Sequence, residues 1–192
     1  MKKVRITQIR SGIGRPQDQK DTLKCLNLRK MHQSVEVDMD DSAKAGMVEK
    51  VKHLLQTTKE ALYLGIEQAV VGKRLGDIGN AVQQHCEKYG YGVVREFTGH
   101  GVGREMHEDP AVPNYGRRGN GVKLKSGMVI AIEPMITMKS RQIVFEDDTW
   151  GVSTSDGRPA AHFEHTVAIG QTKADILSSF DFVEEVLRNK QN

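Results

Sequence analysis

Apolar positions along the chain follow two periods, and their order suggests two unlike parts. Val4 and Ile6 alternate with polar neighbours, which predicts a strand over Lys3–Ile9. A Gly/Pro loop follows in Arg10-Ser-Gly-Ile-Gly-Arg-Pro-Gln. Asp18–Leu28 reads as a helix burying Leu23, Leu26 and Leu28, and Ser34–Met39 as a second strand on Val35 and Val37. Asp41 and Ser42 can cap a helix carrying Ala45, Met47, Val48, Val51, Leu54 and Leu55. From Lys59 the character changes. Lys59–Val71 is amphipathic and stops at Gly72, and Leu75, Ile78, Val82 and Cys86 mark a further helix closing at Gly90. Strand signals then dominate at Tyr91–Phe97, Met128–Glu133, Ile143–Glu146 and His162–Ile169, and Asp175–Leu187 suits a last helix. The boundary is expected near Leu55–Lys59, with no linker.

Composition narrows the class. With 38% hydrophobic and 28% charged residues, the 192-residue chain has the balance of a globular protein. The longest apolar run, Met128–Ile132, is far short of the roughly 20 residues that span a bilayer, and no apolar leader follows the basic start, so neither membrane nor secretion is expected. Two distant cysteines, Cys25 and Cys86, fit a reducing cytoplasm better than a disulfide framework. Charge is uneven: residues 1–30 hold nine Lys/Arg against two Asp, whereas residues 57–192 hold 16 basic and 18 acidic residues. Such asymmetry points to nucleic acid at one end.

Three stretches could carry chemistry. Thr98-Gly-His-Gly-Val-Gly-Arg-Glu-Met-His-Glu-Asp-Pro110 presents His100 among glycines that permit tight turning, with His107 in reach of the same cavity. Alternation over Met128–Glu133 ends an apolar strand on Glu133, beside a proline. In His162-Phe-Glu-His-Thr-Val-Ala-Ile169, Phe163, His165, Val167 and Ile169 share one face, leaving Glu164, Thr166 and Ala168 on the other. Taken singly, the first reads equally well as exposed histidines in a turn and the third as a solvated strand glutamate, a reading that fits Glu133 less well. Together, one imidazole and two carboxylates on separate strands form a nitrogen–oxygen set suited to a divalent first-row metal.

At these residues the chain resembles a known family. Residues 57–192 are similar to the carboxy-terminal part of bacterial type I methionine aminopeptidases, through Gly99-His-Gly-Val-Gly103, Ile132-Glu-Pro-Met135, Asp147-Asp-Thr-Trp150 and Phe163-Glu-His-Thr166. The resemblance implies a pita-bread (creatinase-like) fold and a dinuclear centre of ions such as Co, Mn, Fe or Zn acting on the amino terminus of a nascent peptide. His100, Glu133 and Glu164 match three of five metal-ligand positions, with Glu133 also the general base. His107 matches the histidine at the scissile amide, Trp150 an aromatic residue at the substrate cleft, and Met106 a position lining the methionine pocket. The other two ligands are aspartates spaced Asp-x10-Asp, and no such pair precedes His100. At most one weakly held ion and little turnover are therefore expected, with an uncovered sheet edge open to self-association.

Residues 1–56 resemble bacterial large-subunit ribosomal protein thirty instead, through Lys3-Val-Arg-Ile-Thr-Gln-Ile-Arg-Ser-Gly-Ile-Gly-Arg15, Thr22-Leu-Lys-Cys-Leu-Asn-Leu-Arg-Lys30 with His32-Gln-Ser-Val35, and Gly46–Leu55. That family is a small α/β protein with a three-stranded sheet that binds ribosomal RNA, and its last strand is expected to begin near His53–Gln56. Arg10, Arg15, Lys20, Arg29 and Lys30 are the candidate phosphate contacts. No Phe, Tyr or Trp lies in residues 1–56, which argues against base stacking. The expected architecture is α+β: a βαβα ribosomal-protein module over 1–56, then an incomplete pita-bread domain over 57–192.

Overall fold

The computed structural model describes residues 3–7, 34–38, 42–146, 151–181 and 185. The helix expected over Asp18–Leu28, all five candidate phosphate contacts (Arg10, Arg15, Lys20, Arg29 and Lys30) and Trp150 lie outside the described residues. Strands β1 (Lys3–Thr7) and β2 (Ser34–Asp38) pair antiparallel, Lys3 opposite Asp38 and Thr7 opposite Ser34. Both fall within the strands that alternating Val and Ile positions predict at Lys3–Ile9 and Ser34–Met39.

Helix α1 runs without a break from Ser42 to Glu67. The sequence predicts two helices meeting near Leu55–Lys59, and a strand starting near His53–Gln56; the structure has one helix across both. Phase explains it. Leu54, Thr58, Ala61, Leu62, Gly65 and Ile66 are buried at helical spacing, so a single inward stripe crosses the expected boundary without a shift. Thr58 hydroxyl donates to the Leu54 carbonyl at 2.7 Å, satisfying a buried polar group within the helix. Val51 and Leu55 remain on the exposed side.

Helix α2 (Leu75–Lys88) follows a loop that turns at Gly72, where φ is +93°. The Asp77 carboxylate accepts the Arg74 N–H at 2.8 Å at its start. The remaining chain builds two principal sheets. One has the order β12-β11-β6-β4-β5, from β4 (Gly99–Gly101), β5 (Glu108–Val112), β6 (Val129–Ile132), β11 (His165–Ala168) and β12 (Asp175–Ile176). The other has the order β10-β7-β3, from β3 (Gly92–Val93), β7 (Met135–Thr137) and β10 (Ala160–His162). A separate hairpin pairs β8 (Ile143–Phe145) with β9 (Val152–Thr154).

Several elements differ from expectation. The strand expected over Tyr91–Phe97 is confined to Gly92–Val93. The single strand expected over His162–Ile169 is two, because β10 pairs with β7 while β11 pairs with β6. Asp175 and Ile176 join β11 rather than starting the last helix, which is present at Asp181 and Glu185. The glycine-rich stretch around His100 is a strand, not a turn. Gly99 is held there by close approach, since a Cβ would meet the Ala131 carbonyl at 2.2 Å.

Two apolar clusters fill the space between helices and sheets. Leu62, Ile66, Leu75 and Ile78 pack against Val112, Ile130, Ile132 and Val167 of the five-stranded sheet. Leu54, Ala61, Val82 and Cys86 pack against Val93, Ile136 and Ala161 of the three-stranded one. Leu54 thus lies on the ribosomal-protein-like side of the expected boundary yet in the core of the other part. Its neighbour His53 reaches the same region, with Nδ1 2.6 Å from the Tyr91 hydroxyl and its ring edge-on to Tyr89. Among the described residues, no helix is long and apolar enough to cross a membrane. The edge strand β5 carries Glu108, Asp109 and Pro110, which blunt strand addition at that edge.

Leu54→Ala is expected to lower unfolding free energy by about 2–5 kcal/mol, whereas exposed Leu55→Ala changes it by under about 0.5 kcal/mol. Gly46→Ala, on an exposed helical position with open space around it, raises stability by about 0.5–1 kcal/mol; urea titrations followed by helical circular dichroism check all three. Burial, with Glu87 adding to it, pushes the Cys86 thiol up to about 12. Native Cys86 therefore resists alkylation in peptide-mapped mass spectrometry and is labelled on unfolding. Because the folded state holds this proton more tightly, its contribution to stability is present below the ordinary thiol value near 9.0 and fades as pH rises toward 12.

Candidate metal centre

Glu133 stands where one antiparallel ribbon is interrupted. Chain leaving β6 at Ile132 passes Glu133 and Pro134 before β7 starts at Met135. The opposite strand is interrupted at the same level, between His162 at the end of β10 and His165 at the start of β11. His162 pairs with Met135, and His165 pairs with Ile132. Two ladders therefore flank the gap and set Glu133-Pro134 across from Phe163-Glu164, joined there by the Phe163 N–H to the Pro134 carbonyl at 3.4 Å. The third contributor is β4, in which Gly101 lies opposite Ile130 and His100 precedes it.

The Glu133 side chain is only 10% exposed. Its backbone is fixed by Asn114, whose Nδ2 donates to the Glu133 carbonyl at 2.9 Å from a fully buried position. Each carboxylate oxygen faces an imidazole: Oε1 lies 3.6 Å from His100 Nε2, and Oε2 lies 3.2 Å from His162 Nε2. His100 Nδ1 is 2.8 Å from the Gly101 carbonyl, which can only accept, so the proton sits on Nδ1 and Nε2 keeps its lone pair toward Glu133. The His107 ring lies against His100 with centroids 4.1 Å apart and planes tilted by 43°, and both His107 and Met106 are exposed, Met106 by 73%.

Among the described residues, one group of side chains has the chemistry and spacing to hold a metal ion. Donor atoms of Glu133, His162 and Glu164 all lie within 4.8 Å of one another. A buried carboxylate flanked by imidazoles, with a second carboxylate beside it, is a donor set that a divalent first-row cation would compensate and complete. The structure thus brings together Glu133 and Glu164 as the sequence suggests, sets His100 against Glu133 alone, and adds His162. The signal for His162 was the spacing His-x-Glu, which on an extended chain sends both side chains to one side.

His165, two residues beyond, belongs to the opposite face as alternation predicts. It is 2% exposed, with Nδ1 2.8 Å from the Ser178 hydroxyl and Nε2 3.3 Å from that of Tyr63. Burial, with Lys59 nearby, holds its imidazole below the ordinary histidine range. It orders the tail against β11, since Ser178 also accepts the Thr166 N–H at 3.1 Å.

The chain is 50% identical over 130 residues to a methionine aminopeptidase of Clostridium acetobutylicum, an alignment spanning 68% of this chain and 52% of that protein. It is likewise 50% identical over 127 residues to methionine aminopeptidase 1 of Bacillus subtilis, covering 66% of this chain and 51% of that one. The chain therefore spans about half the length of these relatives. Among solved structures, methionine aminopeptidase from Thermotoga maritima superposes with a TM-score of 0.66 at 46% identity, covering 67% of this chain and 52% of that chain. A prolidase from Pyrococcus furiosus shares the architecture at a TM-score of 0.51 and 27% identity, over 67% of this chain and 32% of that one. These matches make the fold half of a pita-bread architecture. Residues 4–55 also match the family Ribosomal protein L30p/L7e, overlapping over 32–55 the longer match that follows. With residues 32–171 matching its model, the chain belongs to metallopeptidase family M24.

Proposed function

We propose that this chain is a methionine aminopeptidase-like metallopeptidase that holds at most one divalent cation and does not release initiator methionine. The observation that carries the reading is the donor count. Glu133, His162 and Glu164 are the one metal-competent group among the described residues, and no Asp-x10-Asp pair precedes His100 in the sequence. A cation held there would supply acidification of water and stabilisation of negative charge at an amide oxygen. The residues present offer part of what surrounds that chemistry. Glu133, with both oxygens facing imidazoles, can hold a proton drawn from water. His107, at the exposed rim beside His100, can donate to a peptide carbonyl. Met106, largely exposed, offers a methionine side chain one flexible wall rather than an enclosed pocket.

Incubation of the full chain with a Met-Ala-Ser peptide and manganese or cobalt is expected to give no methionine above the blank. Released methionine at a rate proportional to the protein added would overturn the reading.

A second reading applies to the amino-terminal part. The match of residues 4–55 to Ribosomal protein L30p/L7e, together with the basic excess over residues 1–30, favours ribosomal RNA as a partner there. The division into modules at 56/57 is part of this proposal, and α1 is the element the two would share. The full chain is expected to cosediment with large ribosomal subunits at moderate salt and to be released as salt rises. Free chain throughout the gradient at every salt concentration would exclude the RNA role.

A further inference from the structure

Positive charge is concentrated at one place in residues 57–192. That part holds 16 Lys and Arg, and six of them stand in two short segments, as Lys73, Arg74, Arg117, Arg118, Lys123 and Lys125. Asp77 is the single acidic residue within 73–86 and 110–125. The fold lays the two segments side by side. Arg74 bridges antiparallel to Lys123, and the Leu124 N–H donates to the Lys73 carbonyl at 2.8 Å. Leu124 is buried while Lys123 and Lys125, on either side of it, are exposed, as alternation along an extended chain requires.

The loop that carries Arg117 and Arg118 is clamped to the start of α2. The Leu75 N–H donates to the Val122 carbonyl at 3.0 Å and the Gly76 N–H to the Asn120 carbonyl at 2.9 Å, so the loop takes up the first amides of the helix. A Cβ on Gly76 would collide with the Arg117 carbonyl, and one on Gly79 with the Tyr115 carbonyl. Asp77 is engaged in the same clamp, its Oδ1 accepting the Gly119 N–H at 2.9 Å and its Oδ2 the Arg74 N–H at 2.8 Å. Arg74 Nη1 donates to the Gly121 carbonyl at 2.8 Å, and Arg118 Nε to the Asn80 amide oxygen at 3.1 Å. Among the described residues none of the six cations stands in an ion pair. Their charges are held in place and left unneutralised.

Beside them lies a depression of about 420 Å³ whose walls include Leu75, Pro113, Tyr115, Arg117 and Val122. The Arg95 guanidinium, 4.8 Å from the centre of the Tyr115 ring, steadies the aromatic wall. Cations fixed at several points suit a chain of phosphates, whereas a lone phosphate would need them converging on one spot. An apolar hollow with an aromatic wall suits an unstacked base. We propose that residues 73–74 and 115–125 form a binding face for single-stranded nucleic acid, phosphates on the cations and a base in the hollow beside Tyr115. The face lies apart from the metal centre and from residues 1–56, and it rests on neither reading above.

The test uses the full chain and a fluorescein-labelled oligouridylate of about 12 nucleotides, followed by anisotropy at several salt concentrations. Because residues 1–30 are also basic, the point of contact is read directly: 4-thiouridine in the strand is crosslinked by light and mapped by mass spectrometry. Crosslinks are expected within residues 113–122. Arg117→Ala, Arg118→Ala and Lys123→Ala combined should remove them, weaken binding at least about tenfold and flatten the log–log salt slope by about 2. Arg10→Ala with Arg15→Ala should leave these crosslinks in place, so failure of RNA binding at the amino-terminal part is a separate result. An oligothymidylate run alongside ranks DNA against RNA, and either order supports the face. Crosslinks confined to residues 1–56, or a triple variant within about threefold of the parent, would overturn the proposal. So would a duplex that binds as tightly as the single strand, polyglutamate that displaces the strand as well as unlabelled oligouridylate does, or no binding by the parent. Matched far-ultraviolet circular dichroism establishes that the variants are folded.

Discussion

Pro134 has no N–H to give to a ladder, and the chain around it cannot continue the β-sheet that Ile132 leaves. The site depends on this interruption. Because β6–β7 and β10–β11 break at the same level, the residues in the gap are freed from pairing while the pairs on either side hold them in place. A carboxylate can then be nearly buried at the end of an apolar strand without displacing the core. Its oxygens meet imidazoles, its carbonyl meets Asn114, and its backbone stays within two sheets whose inner faces are filled by Ile130, Ile132 and Ile136. Moving the interruption by one residue would turn Glu133 toward those isoleucines, because side chains alternate along a strand.

How much of this was legible follows from what each residue had to satisfy. Period-two patterns identified β1, β2, β6 and β11, and in β11 the cause is visible as burial at alternate positions. The burial of His165 and Val167 and the outward turn of Thr166 and Ala168 follow that rule. The split between β10 and β11 was not legible: alternation runs through His162–Ile169 without a fault, and only the pairing partners change. Nor was the strand at Gly99–Gly101. Glycine carries no hydrophobic signal, and its reason for being there is a neighbour's carbonyl rather than a turn.

The candidate site was legible in its carboxylates and less so in its nitrogen. Glu133 stands out as a charge ending an apolar strand, a pattern that demands compensation, and Glu164 as the charge on a face shared with Thr166 and Ala168. His100 stands out among glycines, and the structure sets it against one oxygen of Glu133. His162 lies in a motif crowded with other residues of interest, and its place opposite Met135 depends on a register that local sequence does not encode. The continuity of α1 was hidden for a similar reason. Thr57 and Thr58 are weak helix formers, yet both are buried, and the stripe from Leu54 to Ile66 keeps the helix in phase with the sheet beneath it.

That continuity bears on how the segments matching the two family models could ever be separated. Proteases cleave backbone that can be drawn out into an extended form, and from Ser42 to Glu67 every residue is helical, with Leu54, Thr57 and Thr58 packed inward where a clip would otherwise fall. Excising the amino-terminal segment at that point would require unwinding the helix and tearing Leu54 out from among Val82, Cys86 and Ile136. A boundary at 56/57 would thus fall inside one continuous helix, and neither side could be shed there while the other stays intact.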